Sequence, residues 1–244
     1  MIGTLLANRF GGLSVWSMPI QGRQYAVGVD CGSGVRNAKT KSITKEGDPS
    51  AACVIDMETC EQVAEWEAYI IPQLWGFAVA RLAAFYNEAP LAIETQPSQH
   101  GINAYDAAAR YPYTNLWCQQ RINLRDGSFS ERKGWARAAY STEVLFNRVR
   151  EALHVGCPVR SERLLDQLSA CYQEEVKVKS SLHDDCIVAY AIALCVRDQA
   201  YIRGDLKPKE APIEDIGDLY WRRELVEDTP LASRHTHEEE WNGI

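Results

Sequence analysis

No two of the eight cysteines (Cys31, Cys53, Cys60, Cys118, Cys157, Cys171, Cys186, Cys195) stand at C-x-x-C spacing. Zinc-site spacing is therefore absent. A chain of 244 residues, 46% of them hydrophobic, is large enough to bury a sizeable core without a disulfide framework. Buried free thiols in a reducing cytoplasm are the expected state. No apolar run reaches the roughly 20 residues of a membrane-spanning helix, so no membrane partner is expected. The N-terminus, MIGTLLANRFGGLSVWSMPI, has neither the basic start nor the continuous apolar stretch of a signal peptide. An intact phosphate-binding loop is missing too. SGVRNAKT (residues 33–40) has Walker A spacing, but Ser33 and Ala38 replace both glycines, so no ATP is expected in this chain. No internal repeat is present.

The net charge is −7, and it is unevenly spread. Residues 205–244 hold eleven acids against five Lys or Arg, which leaves the first 204 residues almost neutral. Between Gln119 and Arg150 seven cations (Arg121, Arg125, Arg132, Lys133, Arg137, Arg148, Arg150) meet three acids (Asp126, Glu131, Glu143). Such a local basic surface suits phosphate contacts, and it equally suits a plain solvated face.

Patterning predicts an α/β domain. RQYAVGVDC (23–31) is an apolar, β-prone run that ends at Asp30 before a glycine turn. SAACVIDME (50–58) and EQVAEWEAYI (61–70) read as two further strands, tightly joined. Residues 72–89 open on Pro72 and carry apolar residues at helical spacing. PLAIETQ supplies a short buried strand ending at Glu94, NAYDAAARY (103–111) a helix, and YTNLWCQ (113–119) a strand. Asp126-Gly127, between short alternating runs, signals a hairpin. STEVLFNRVREAL (141–153) and SERLLDQLSACYQEE (161–175) are amphipathic helices, and a nearly all-apolar helix follows from Cys186 to Val196. Three strands, a helix, a strand and then mixed elements ending in helices imply a partly antiparallel mixed sheet flanked by helices. Residues 1–20 read as a lead-in, and residues 201–244 as an extended acidic tail. His235, His237 and Glu238, Glu239 and Glu240 in that tail read as solvated.

The last helix begins with a doublet of like charges. Asp184 and Asp185 follow His183 directly. An Asp is a preferred N-cap and suits the positive end of the helix dipole. Two adjacent carboxylates repel unless one faces solvent or a cation lies between them. On this segment alone, capping and metal binding are equally served. Asp30 and Glu94 end strands, and strand ends and helix N-termini of an α/β sheet can converge on one edge. If the last helix packs there, Asp30, Glu94 and the doublet meet, and an all-oxygen donor set selects Mg²⁺ or Mn²⁺.

The ordered blocks YAVGVD, GDPSAACVID, LAIETQ, HG, YP, GW and HDDCIVAYAIAL, between about residues 15 and 197, resemble the C-terminal nuclease domain of bacteriophage large terminase subunits. That resemblance implies an RNase H-like nuclease domain over residues 21–200, cutting concatemeric viral DNA during genome packaging in the cytoplasm of the host. It carries the family's metal ligands onto Asp30, Glu94 and one acid of Asp184/Asp185, with Asp185 favoured. Asp48, in GDPS, matches a further recurrent acid and is expected to be structural or to sit behind the ligands. Three positions depart from the family pattern: Gln96 stands for Asn, Glu143 for Lys, and Val188 for an acid.

The implied reaction is phosphodiester hydrolysis with two Mg²⁺ or Mn²⁺ ions about 4 Å apart. Asp30 would bridge them while Glu94 and Asp185 each complete one shell. His183 would orient water or phosphate, or be only a surface residue. Arg121, Arg125, Arg132, Lys133 and Arg137 are the expected sequence-independent phosphate contacts. The implied partners are double-stranded DNA, a packaging ATPase on the same or a separate chain, the portal or capsid, and the small terminase subunit. Two other readings stand beside this one. GVDCGSG also resembles the phosphate loop of actin-like ATPases and sugar kinases, and a DNA- or capsid-docking domain with a decayed site would keep the same core.

Overall fold

The computed structural model describes residues 12–34, 49–96, 99–111, 113–122, 128–136, 139–173 and 184–203. The four longest strands of the main sheet are the runs that lack a polar face. They are β2 (Tyr25–Asp30), β3 (Ser50–Asp56), β4 (Gln62–Ala68) and β5 (Leu91–Gln96). Every residue of β2 and β3 is buried, as expected of strands covered on both faces. Short strands β1 (Leu13–Val15) and β8 (Trp135–Ala136) complete a six-stranded mixed sheet in the order β1-β4-β3-β2-β5-β8. Strands β2, β3 and β4 form an antiparallel meander, with β1 antiparallel to β4. Strand β5 runs parallel to β2, and β8 runs parallel to β5.

Side chains alternate between the two faces with period two. Val27, Val29, Leu91 and Ile93 pack with α1 (Pro72–Phe85) and α2 (Gln99–Arg110). Ala26, Cys53, Ile55 and Ala92 face the other layer, made by α3 (Ala139–His154), α4 (Glu162–Gln173) and α5 (Asp185–Arg203). Helix α5 lies directly on β2. A Cβ at Gly28 would stand 2.1 Å from the Ala189 carbonyl oxygen and 2.5 Å from the Ala193 nitrogen, so only glycine lets the two backbones approach this closely.

The direction of α5 follows from its far end. Arg197 Nε donates to the Met57 carbonyl at 2.6 Å, and the Met57 N–H donates to the Gln24 carbonyl, just before β2 begins. Helix α5 therefore runs opposite to β2, and its N-terminus lies at the end of β2 that carries Asp30.

Several boundaries differ from the sequence expectations. Leu13–Val15, inside the expected lead-in, is a strand of the sheet. Strand β5 runs on past Glu94 to Gln96, and α2 starts at Gln99 rather than at 103. The strand expected over 113–119 begins only at Cys118. Before it, Leu116 makes an isolated bridge to Leu91, because the chain there runs alongside β5 only briefly. The expected hairpin is β6 (Cys118–Ile122) paired with β7 (Phe129–Lys133), and Asp126-Gly127 lies outside the described residues. All eight cysteines are free. Among the described residues no helix is long and apolar enough to cross a membrane.

Candidate active site

Register and parity set the first two acids side by side. Val29 of β2 is paired with Ile93 of β5, and one residue further along both parallel strands stand Asp30 and Glu94. Neighbouring strands are about 4.8 Å apart. Both residues share parity with Ala26, Gly28 and Ala92, so both belong to the face covered by α5. The N-terminus of α5 reaches the same end of the sheet, and it carries the third acid. Asp30, Glu94 and Asp185 are 9%, 7% and 8% exposed, a burial that carboxylates seldom show without a compensating partner.

The neighbourhood is electrostatically shared. Burial, and then the charges of Asp30 and Glu94, push the Cys31 thiol well above its ordinary range. Helix α2 closes on the same edge, since a Cβ at Gly101 would stand 1.7 Å from the Glu94 carbonyl oxygen. That contact gives a physical reason for the glycine of the HG block. The oxygen-only donor set suits a hard divalent cation. Glu94 Oε1 and Asp185 Oδ2 are buried and accept no hydrogen bond, although both residues take part in other interactions. Among the described residues no three carboxylate, thiol or imidazole groups are already placed to hold one ion.

The start of α5 is capped in a way the sequence did not reveal. A capping aspartate would accept from the second or third N–H of the helix. Here the N–H groups of Cys186 and Ile187 both donate to Gln167 Oε1 of α4, at 3.1 and 3.3 Å. Asp184 contributes its backbone carbonyl, which accepts from Val188 N–H at 2.9 Å. Of the two readings left open for the doublet, side-chain capping is corrected here, because the Gln167 amide from a neighbouring helix takes the N–H groups of Cys186 and Ile187.

Helix α4 is itself tied to β4 through buried polar groups. Gln62 Oε1 accepts from the N–H groups of Arg160 and Ser161, both at 2.9 Å. Ser161 Oγ donates to Glu65 Oε1 at 2.7 Å and accepts from Leu164 N–H at 3.1 Å. Arg163 forks onto Glu65 (3.1 Å) and Glu67 (2.8 Å). Glu65 and Asp56 show what a structural buried carboxylate looks like in this fold. The first is paired with Arg163. The second accepts from Arg23 at 2.6 Å and from the N–H groups of Glu58 and Thr59 in the β3–β4 turn.

Of the basic residues, Arg132 and Lys133 lie on β7 and Arg121 on β6. Arg132 is half-buried. Lys133, 64% exposed, pairs with Asp106 of α2 at 2.8 Å. The side chain of Arg121 lies outside the described residues, as do Asp48, His183, Arg125, Arg137 and residues 35–40 of the Walker-like segment. A cavity of about 710 Å³ lies on the α1 side of the sheet, lined by Trp66, Leu74, Phe77 and Phe85 among others. It is apolar and belongs to the face opposite the three acids.

This arrangement is similar to solved nucleases. The large terminase nuclease from thermophilic phage G20c with bound zinc matches with a TM-score of 0.53 at 16% identity, over 77% of this chain and 89% of that one. The same nuclease with bound magnesium gives 0.52 at 14% identity, over 77% and 88%. The chain has the RNase H-like fold of phage large-terminase nuclease domains. The Thermus phage P74-26 large terminase nuclease domain matches with a TM-score of 0.50 at 16% identity, over 76% and 85%. At these identities the likeness is one of fold. No family model and no curated protein matches the chain.

Proposed function

We propose that this chain is the nuclease of a phage large terminase, a Mg²⁺- or Mn²⁺-dependent endonuclease that cuts concatemeric DNA during packaging. What supports this reading is the terminase-nuclease fold together with Asp30 and Glu94 on neighbouring parallel strands and the burial of both, and of Asp185 at the start of α5. Asp30 would be the ligand shared by the cations, Glu94 and Asp185 would complete their protein ligands, and Asp184 is the alternative to Asp185. Two bound cations would supply Lewis-acid stabilisation and an activated water for phosphodiester hydrolysis. The chain's own share is to gather the carboxylates, keep them buried, and present them where DNA can lie. His183 and Asp48 are assigned to the surroundings of the ligands. The working partners are double-stranded DNA, a packaging ATPase, the portal or capsid, and the small terminase subunit, in the host cytoplasm.

The test is nicking of supercoiled plasmid. Relaxed and linear products should form with Mn²⁺ and no ATP, and chelation by EDTA should stop their formation. Equal cleavage with and without EDTA overturns the proposal.

The basic hairpin is assigned to phosphate contact through Arg121, Arg125, Arg132, Lys133 and Arg137. The Lys133–Asp106 pair is exposed on both sides, and such pairs contribute about 0–1 kcal/mol, so a phosphate can displace Asp106. Replacing Arg132 and Lys133 with Ala should weaken binding of every DNA sequence and reduce the salt slope by about one per lost phosphate contact. An unchanged slope in a fluorescence-anisotropy titration would leave this strand as a solvated face only.

A further inference from the structure

The first turn of α5 is held by a residue that belongs to neither the acid set nor its own helix. Gln167 Oε1 accepts from both Cys186 N–H and Ile187 N–H, the two donors that flank Asp185 on its C-terminal side. Six residues earlier, Ser161, just before α4, is fixed to Glu65 of β4, and Arg163 in its first turn is fixed to Glu65 and Glu67. Six helical steps span about 9 Å, so α4 acts as a short strut between the sheet and the start of α5. Helix starts normally satisfy these N–H groups with their own Asp, Ser or Asn. A capping carboxylate would turn back onto its backbone and lose an oxygen for ligation. With the amide of Gln167 in that place, the doublet at this N-terminus is not needed as a cap.

We propose that Gln167 is a positioning residue for the metal-binding end of α5. It fixes the helix start from outside, so that the first-turn N–H groups of Cys186 and Ile187 do not draw on Asp184 or Asp185. This inference rests on the nuclease reading above. It assigns a role to a half-buried glutamine whose side chain is no ligand and touches no DNA in the mechanism. Groups that orient metal ligands from behind typically account for about 10–100-fold in metal affinity or activity, and Gln167 is expected to fall in that range.

The experiment titrates Mn²⁺ into the full chain and reads the rise in melting temperature, with hydrogen exchange at the Cys186 and Ile187 amides as a second readout. Four proteins are compared: wild type, Gln167→Met, Gln167→Glu and Asp185→Asn. Met matches the shape of Gln but accepts no hydrogen bond, so Gln167→Met should need about 10–100-fold more Mn²⁺ for the same shift, with faster exchange at both amides. Glu keeps the acceptor oxygen, so Gln167→Glu should retain slow exchange and bind Mn²⁺ at least as tightly as wild type. If Gln167→Met does not fold, Gln167→Ala, which admits water to the two amides, replaces it with the same expected weakening. Wild-type Mn²⁺ affinity in the Met or Ala variant overturns the inference alone, provided that Asp185→Asn has lost its response. An equal loss in Gln167→Met and Gln167→Glu also overturns it, since the acceptor would then not be what matters. A wild type with no response to Mn²⁺ overturns the nuclease reading, and this inference with it.

Discussion

Replacing Asp185 with Asn should abolish Mn²⁺-dependent plasmid cleavage while leaving the metal-free protein as stable as wild type or slightly more so. The substitution keeps size and polarity at the first helical position and removes one of two adjacent charges. Asp185 is 8% exposed, so removing its charge lowers the cost of burial in the metal-free protein. The loss of activity should exceed the roughly 100-fold that marks an outer-shell residue. At a Mn²⁺ concentration 100 times its dissociation constant, wild type should gain about 2.7 kcal/mol, and Asp185→Asn should gain much less. Asp184→Ala provides the contrast. Because Gln167 already serves the Cys186 and Ile187 amides, losing Asp184 should remove only its favourable interaction with the helix dipole, about 0.3–1 kcal/mol. Should Asp184→Asn be inactive while Asp185→Asn cuts DNA normally, the ligand is Asp184.

The parts of the fold that the sequence displayed are those where burial is complete. Strands β2, β3 and β5 and helix α5 are covered on nearly every side, so they appear as unbroken apolar runs, and an acid that ends such a run is conspicuous. Asp30, Glu94 and the doublet were visible for that reason. Strand β1 left little trace, because it has three residues and only Leu13 is buried. Strand β8 has two residues and takes its place only by pairing with β5. Gln167 was hidden for a different reason. Its partner groups are backbone amides about 20 residues away, and in sequence it is one more polar residue on an amphipathic helix. Gln62 and Glu65 were concealed in the same way. Each is one polar residue in a strand-like run, and both are buried against α4, at 0% and 1% exposure.

That buried polar layer gives the second large expected effect. Arg163→Leu should destabilise the protein by about 1–3 kcal/mol, less than the loss of a fully buried ion pair, because Glu65 is buried but the Arg163 side chain is 37% exposed and water can reach part of the space it leaves. Glu65, 1% exposed, would keep only the Ser161 hydroxyl at 2.7 Å and the Gln62 amide at 3.2 Å. Neutral donors do not replace a guanidinium against a buried charge. Against a typical total stability of about 5–15 kcal/mol, this is a large fraction, and urea unfolding would register it. Arg160 is the internal control. Its pair with Glu61 has side-chain exposures of 52% and 23%, so breaking it should cost no more than about 1 kcal/mol. Changing Glu65 to Gln in the Arg163→Leu background should recover part of the loss by removing the stranded charge, and the double-mutant cycle would give the size of the coupling. If Arg163→Leu and Arg160→Leu are equally mild, Glu65 is held by its neutral donors alone. If the coupling is large, β4, α4 and the start of α5 form one mechanical unit, and Arg163→Leu should also weaken the Mn²⁺ response, because α4 is what carries Gln167 to the first turn of α5.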